Sequence, residues 1–343
     1  MVTFPYNNSD YAYALDPVAI NFSSSNESYF TVVITIKYYE FYASTEKTTV
    51  LNYKIPLFNG VAIWYVGEII QRNLSNLTVP FASGFQVKTA LVTFVVKELA
   101  LADDSETATT TLTDVAFIPG HKPKLISNNM ALLHVNETKC RVTVLGTCYA
   151  SFLFPTGEHT IKVYHNATEI NSETITATAL NTIYTKTIDV SAFQVTPADV
   201  FKITIGGTEI FKEFVIFPDT QLSNTLFFID QYKLMTSLEL TGEYSFNEDF
   251  EQLMHEYKLN NDRVLEVVET LEDHFLKINT GYILKSQVKL VNEIFKIKKA
   301  FLKNIEGFDL EMVPISKKRT GFDSENFLYS YDLEFRINKI ADA

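Results

Sequence analysis

Residues 28–39 read Ser28-Tyr29-Phe30-Thr31-Val32-Val33-Ile34-Thr35-Ile36-Lys37-Tyr38-Tyr39. The stretch alternates in part: apolar side chains occupy every second position from Phe30 to Ile36, and Thr31, Thr35 and Lys37 have the opposite parity. This alternation is typical of a β-strand with one buried face. The stretch therefore predicts that the N-terminal part of the chain is built from strands.

The sequence that follows continues this pattern. Segments rich in β-branched and aromatic residues predict further strands at Thr48–Pro56, Phe85–Leu99 and Thr107–Pro119. Helical spacing of apolar residues predicts one short helix within Trp64–Leu74. Breakers and charge in Pro119-Gly120-His121-Lys122-Pro123 indicate a linker. We predict an N-terminal β-sandwich-like domain at residues 1–122.

A second β unit follows the linker. Its short strand-like segments recur about every ten residues, at Lys139–Leu145, Thr147–Pro155, Thr160–His165, Glu169–Thr176, Thr182–Val190 and Phe201–Ile205. This spacing is typical of a small antiparallel sandwich of immunoglobulin-like architecture, predicted at residues 123–218. A turn at Leu145-Gly146 would set Cys148 opposite Thr143 instead of Cys140, so we expect both thiols to be free.

The last third has a different character. An apolar stripe predicts a helix at Ser286–Phe301, with Ser286 as its N-cap. Alternation predicts a terminal strand at Asn326–Ile340, paired with Glu311–Ile315. The stretch Asn247–Tyr257 shows a mixed pattern. The predicted fold is therefore mainly β, with two sandwich-like modules followed by a C-terminal α+β domain at residues 219–343.

Composition narrows the classes of function. The chain has 343 residues, of which 46% are hydrophobic and 20% charged, as in ordinary globular proteins. With 41 acidic and 29 basic residues, its net charge of −12 repels phosphate backbones, so we expect no direct nucleic-acid partner. Apolar runs fall well short of the ~18 residues that a membrane span requires, so we expect no membrane insertion. Two cysteines in so long a chain indicate assembly in a reducing compartment.

The histidines do not form a metal-binding pattern. His159 and His165 share a strand parity, but six residues of strand span ~20 Å and cannot bring both to one ion. We expect them to be sheet-edge residues. His255 and His274 lie among acidic residues, which favours a solvated, salt-bridged face over a metal site.

No catalytic motif is present in the sequence. It lacks a Gly-x-Ser-x-Gly elbow, a P-loop and a dinucleotide fingerprint. Neighbouring carboxylates such as Glu248 and Asp249 could form an acid–base couple, although an acidic chain has many such neighbours. We therefore expect no catalytic residue, no cofactor and no metal, and we interpret the chain as a non-enzymatic protein.

Several segments share their features with a known family. They are Leu15–Ile20, Thr225–Tyr232, the Asn-Thr-Gly-aromatic element Asn279–Ile283, Ser286–Leu302, Val313–Ile315 and Leu328–Phe335. Through these segments the chain resembles structural proteins of tailed bacteriophages, and of related prophages, that infect Bacteroidetes. The resemblance is close over about a third of the chain.

The resemblance implies a virion component near the tail, such as a distal-tail, baseplate, hub or fibre-attachment protein, assembled in the bacterial cytoplasm. Because tail parts form rings, we expect a symmetric oligomer that contacts copies of itself and other tail proteins. A terminal strand tends to lie at a sheet edge, so its aromatic face supplies the candidate assembly interface. That interface comprises Tyr329, Tyr331, Leu333 and Phe335. The strand could equally close an internal sheet.

A carbohydrate-binding adhesin is the alternative function. The stretch Tyr38-Tyr39-Glu40-Phe41-Tyr42 is rich in aromatic rings that could stack on sugars. Tyr38 and Tyr42 are the candidate contacts to a host surface glycan.

Overall fold

The computed structural model describes residues 1–7, 11–25, 27–39, 46–74, 85–124, 126–127, 129–134, 139–177, 182–218, 223–259, 262–283, 287–316 and 329–342. The chain is mainly β, as predicted, and the strands of these residues form five sheets. Both α-helices of the described ranges have seven residues, and no helix there is long and apolar enough to cross a membrane.

The first sandwich packs a five-stranded sheet against a three-stranded sheet. In chain order, the strands as far as residue 118 are β1 (Val2–Thr3), β2 (Tyr11–Tyr13), β3 (Ala19–Ser23), β4 (Ser28–Tyr39), β5 (Glu46–Pro56), β6 (Val61–Tyr65), β7 (Phe85–Lys88), β8 (Ala90–Ala100) and β9 (Glu106–Ile118). The sheet orders are β2-β9-β8-β4-β5 and β1-β3-β6. The short helix is confirmed as α1 (Gly67–Asn73), which buries Ile70 in the core between the sheets.

Strand β4 has the predicted bounds and the predicted buried face, on which Phe30 and Ile34 are fully covered. The single strand predicted at Phe85–Leu99 is wrong. It is divided at Thr89 into β7 and β8, which belong to different sheets. Both halves have strand-like composition, so the sequence pattern alone does not reveal the division.

The second sandwich is built from β10 to β18, and β7 joins one of its sheets. The strands are β10 (Ile126–Ser127), β11 (Met130–Leu132), β12 (Lys139–Thr143), β13 (Thr147–Phe154), β14 (Gly157–His165), β15 (Thr168–Ala177), β16 (Thr182–Asp189), β17 (Val200–Ile205) and β18 (Phe211–Phe217), with a 3₁₀ turn at Val190–Ala192. The sheet orders are β10-β11-β13-β16-β7 and β12-β18-β17-β14-β15. The predicted short strands are confirmed.

Two details of this sandwich differ from the prediction. Strand β12 runs parallel to β18, so the sandwich is not wholly antiparallel. The hairpin expected at Leu145-Gly146 is absent, because β12 and β13 lie in opposite sheets. Val142 and Cys148 both point into the core between those sheets, so the chain crosses from one layer to the other at this turn. Neither cysteine forms a disulfide, as predicted.

The C-terminal sheet has seven strands and one covering helix. Its elements are β19 (Asn224–Ile229), β20 (Met235–Leu240), β21 (Tyr244–Leu259), β22 (Asp262–Asn279), α2 (Val288–Ile294), β23 (Ala300–Ile305), β24 (Phe308–Pro314) and β25 (Asp332–Asp342). The strand order is β20-β19-β23-β24-β25-β22-β21. One face buries Leu290 and Ile294 of α2. The other face packs on the second sandwich, where Phe227 meets Tyr149 edge to face.

The helix predicted at Ser286–Phe301 is too long. Helix α2 ends at Ile294, and Phe301 lies on β23, whose backbone pairs with β19 and β24. Two flanking strands supply hydrogen bonds that override the helical spacing of the side chains. Gln287, not Ser286, is the residue before the helix, and Ser286 lies outside the described residues.

The segment predicted as a linker is packed at the junction of all three units. Gly120 is buried against the ring of Tyr232, whose hydroxyl donates to the carbonyl of His121 at 2.9 Å. Gln71 of α1 bridges this junction, accepting from the Gly120 N–H and donating to the Gln231 carbonyl. The boundaries at residues 122 and 218 stay predictions, and β7 crosses the first of them.

Candidate interaction site

Strands β21 and β22 form a long hairpin that extends beyond the C-terminal sheet. At its base, Phe275–Asn279 of β22 pair with β25 as well as with β21. Beyond this point, residues 248–259 and 262–274 pair with each other and with no other strand among the described residues. We call these two segments the arm. At ~3.3 Å per residue, the arm is roughly 40 Å long.

The mixed pattern of Asn247–Tyr257 has a structural origin. The register shifts between Leu253 and Met254, where two residues of β22 oppose one residue of β21. Both faces of a projecting ribbon also meet solvent, which removes the usual contrast between a buried and an exposed side. One signal in the sequence points to this hairpin. Two asparagines, Asn260 and Asn261, lie between two strand-like runs, and asparagine suits tight hairpin turns.

The arm exposes large apolar side chains. Phe250 is 58% exposed, Leu253 59%, Met254 55% and Val267 47%. Phe250 has the strand parity of Tyr244, which packs against the C-terminal core, so the face carrying Phe250 continues the buried face of the sheet. A two-stranded hairpin is at best marginally stable alone. Clustered apolar exposure on such a ribbon indicates a surface that another protein covers.

The arm is also strongly acidic. Residues 248–274 contain nine acidic and two basic residues. Asp249 lies directly opposite Asp273, and like charges opposite each other destabilise a strand pair. Arg336 of β25 partly offsets this repulsion through an ion pair with Asp273 at 2.5 Å. The arm therefore carries negative charge that its own strands do not balance.

His274 lies between two of these acids. Its Nδ1 is 3.6 Å from Glu248 Oε1, and its Nε2 is 3.6 Å from Glu272 Oε1. His274 therefore lies in the acidic surroundings that the sequence indicates, and the salt-bridged face stays a prediction. The three donor atoms lie within 4.8 Å of one another, but exposed acidic groups often cluster in this way without an ion. Glu248 and Asp249 are adjacent on one strand and point to opposite faces, so they do not converge as an acid–base couple.

The other predicted histidines are structural. Both histidines lie on β14. His165 pairs with β15 and β17, so its expected edge position is wrong, whereas His159 lies before the residues of β14 that pair with β17. His159 stacks on Phe154 and contacts the Pro155 carbonyl at 2.8 Å. His165 stacks on Phe201 and contacts Asp199 at 3.1 Å.

Of the two positions that the sequence left open for the terminal strand, the internal one is confirmed and the edge is wrong. Strand β25 pairs with β24 on one side, as predicted, and with β22 on the other. Its apolar face is part of the C-terminal core, where the four predicted interface residues are all buried: Tyr329, Tyr331, Leu333 and Phe335. Long β22 supplies the second partner, and the sequence shows no period that would have revealed it. Among the described strands, β20 and β21 form the two edges of this sheet.

The described residues include one of the two predicted glycan contacts. Tyr38 lies on β4, partly buried and packed against the core of the first sandwich. Tyr42 lies outside the described residues.

A cleft lies at the base of the arm. Its volume is about 610 Å³, and its lining includes Tyr282, Lys277, Asn279 and Asp332. The Tyr282 ring is exposed, while its carbonyl accepts from Arg141 at 2.8 Å. The loop at Gly281 is held closely, because a Cβ there would lie 2.2 Å from Thr241 Oγ1. The exposed ring therefore stands on a fixed loop.

Two buried carboxyls lie near the contacts between the units. Burial raises the pKa of Glu239 to about 7, although Thr225 donates to this carboxylate at 2.9 Å. Burial also raises the pKa of Asp230 to about 7, although it accepts from the N–H of Tyr232 at 2.8 Å. Each carboxyl therefore binds a proton as the pH falls through about 7.

Comparisons with known proteins identify no family. No family model matches the chain, and no curated protein matches it. Among solved structures, squid arrestin aligns with 8% identity over 64% of this chain and 98% of its own, at a TM-score of 0.16. A likeness at this level carries no functional argument.

Proposed function

We propose that this chain is a non-enzymatic structural subunit of a larger protein assembly. Following the sequence resemblance, we place it in the tail of a bacteriophage virion, as a distal-tail, baseplate, hub or fibre-attachment protein. In this role it is made in the bacterial cytoplasm, forms a homo-oligomer and contacts other tail proteins.

The arm is the observation that supports this proposal. An acidic ribbon of roughly 40 Å with exposed Phe250, Leu253 and Met254 gains little from folding alone and much from a protein partner. Buried contacts join the three β units at Tyr232 and at Phe227, so they support the arm as a stiff frame. A rigid body with a projecting arm suits repeated protein contacts.

Location in the virion tests the proposal directly. An antibody against the purified chain is expected to label the tail region of intact particles in electron micrographs. Labelling confined to the capsid, or no labelling of particles, would contradict the tail assignment.

The role of the arm is tested with a shortened variant in which an Asn-Gly turn joins Asp249 to Asp273. These residues face each other across the hairpin, so a two-residue turn can connect them. We expect the variant to fold and to lose assembly, as measured by mass photometry. If the shortened variant assembles like the unchanged chain, the arm is not part of the contact between subunits.

The cleft beside Tyr282 supports a second candidate, glycan binding by an adhesin. An exposed aromatic ring on a closely packed loop, next to Asn279 and Asp332, offers stacking and hydrogen bonds to a sugar. Binding to an array of defined oligosaccharides, lost in Tyr282→Ala and kept in Tyr38→Ala, would favour this function. No binding above background would exclude the cleft as a sugar site.

A further inference from the structure

A groove bordered by lysines lies where α1, the β19–β20 turn and the segment after α2 meet. Its volume is about 310 Å³, and the partly buried apolar residues Leu15, Ile229 and Ile297 contribute to its lining. Lysines also line it, namely Lys233, Lys296, Lys298 and Lys299. We call this feature the lysine groove.

The lysine groove is also lined by the acidic residues Asp230 and Glu293, which neutralise its positive charge only in part. Lys296 pairs with Glu293 at 3.2 Å, and Lys299 pairs with Glu311 at 2.5 Å. In the described part of the chain, Lys233 and Lys298 have no acidic partner, and the charge on Lys298 adds to burial in lowering the Lys233 pKa. On a chain with a net charge of −12, such a cluster indicates an acidic partner.

The arm has the complementary arrangement. On one of its faces, exposed Phe250 lies directly opposite Glu272, and Glu248 precedes it by two residues on the same strand. An apolar side chain flanked by carboxylates therefore matches an apolar floor flanked by ammonium groups. An apolar centre with a charged border is the usual composition of a specific protein contact.

The positions of the two features determine which copies can meet. Strands β21 and β20 are the opposite edges of the seven-stranded sheet, so the arm and the β19–β20 turn are about 30 Å apart across it. The arm continues from β21, the edge strand farther from the lysine groove. A contact between arm and groove then joins one copy to the next, and each copy still offers one free arm and one free groove. Such a head-to-tail contact generates a ring when the rotation closes.

We propose that the arm of one copy docks in the lysine groove of a second copy, with Phe250 over the apolar floor and Glu248 and Glu272 facing Lys296 and Lys298. This inference rests on the proposed function, because it specifies the partner of the arm.

Charge exchange tests the proposal. The double variant Glu248→Lys/Glu272→Lys reverses the charge at these two positions of the arm, and Lys296→Glu/Lys298→Glu does the same in the lysine groove. All four side chains are exposed. Each double variant is expected to raise the concentration of half-dissociation by more than about tenfold, because like charges then face each other. The chain carrying all four substitutions is expected to recover assembly, since both charges are reversed together. Mass photometry provides the measurement, and circular dichroism controls for folding.

The outcomes separate this inference from the proposed function. If the arm reversal abolishes assembly and the fourfold variant does not restore it, the arm binds elsewhere and the groove is excluded, while the structural role stands. If the unchanged chain stays monomeric at its highest soluble concentration, the contact between copies is overturned. Tail labelling by the antibody then still tests the structural role independently. Restoration by the fourfold variant supports the docking of arm and groove.

Discussion

The ring of Tyr232 lies so close to Gly120 that a Cβ on the glycine would be 2.6 Å from its Cδ1 atom. Gly120 also has φ +86°, a backbone conformation that favours glycine. Tyr232 is almost fully buried and cannot move aside. This contact fixes the junction between the first sandwich and the C-terminal sheet, and it turns a segment with the composition of a linker into part of the core.

Gly120→Ala is therefore expected to destabilise the chain by roughly 2–3 kcal/mol, because the alanine would have to keep the positive φ and its Cβ would clash with the buried ring of Tyr232. The matched control is Gly207→Ala, which has φ +73° and nothing within 4 Å of its Cβ, and which costs only about 1 kcal/mol. Urea unfolding measures both. Limited proteolysis near Gly120–Lys124 is expected in the variant and not in the unchanged chain. Equal stability of the two variants would show that the contact with Tyr232 is loose.

The two buried carboxyls predict a pH dependence of stability. The pKa values of Glu239 and Asp230 are raised to about 7 in the folded chain. Between the ordinary carboxyl range and pH 7, the folded chain holds protons that the unfolded chain has released, so the free energy of unfolding falls as the pH rises. Each pKa unit is worth ~1.4 kcal/mol.

We therefore expect a higher Tm at pH 5 than at pH 8. Glu239→Gln combined with Asp230→Asn is expected to remove most of this difference, whereas exposed Glu158→Gln keeps it. Differential scanning fluorimetry across this range is the measurement. A Tm that rises with pH in the unchanged chain would contradict the assignment.

The interior position of β25 predicts a large effect of shortening Phe335. Its side chain is fully buried in the C-terminal core, so Phe335→Ala is expected to cost ~3–5 kcal/mol. Ile340→Ala on the same strand removes a side chain that is 47% exposed and is expected to cost about 0.5 kcal/mol. Chemical unfolding distinguishes them. A small effect at Phe335 with loss of assembly would instead restore this strand as an interface.

Phe250→Ser is expected to leave stability within about 0.5 kcal/mol and to weaken assembly, because the ring is exposed in the isolated chain. Leu101→Ser is the matched control, since Leu101 is 60% exposed between β8 and β9 and lies away from the arm. Mass photometry over a dilution series compares them. Equal effects would mean that general surface hydrophobicity, and not the arm, drives association.

The alternation of apolar and polar residues was sufficient to predict strands that bury one face and expose the other. Strand β4 has a sustained alternation and has the predicted bounds, and the pairing of β24 with β25 is also confirmed. Pattern failed where a distant partner decides the outcome. Phe301 continues a helical stripe, yet its backbone pairs with Phe227, far away in the sequence.

The candidate site was harder to predict for the same reason. Tyr329 and Tyr331 gave a strong aromatic signal because they are core residues. The arm gave a weak signal because its described side chains are exposed or half-buried on both faces. A surface that is completed only by another molecule leaves little periodicity in one sequence. The mixed pattern of Asn247–Tyr257 is the pattern expected for a strand of such a surface.

Strand β7 has a consequence for how the chain can be divided. It comes from the first third of the sequence, yet Phe85–Lys88 pair with Thr182–Thr185 and complete a sheet of the second sandwich. A fragment cut at residue 123 would therefore leave β16 with unsatisfied backbone groups along one side. Such a fragment would recruit a strand from a neighbouring molecule, so self-association of excised pieces would report a missing segment and not the native contact.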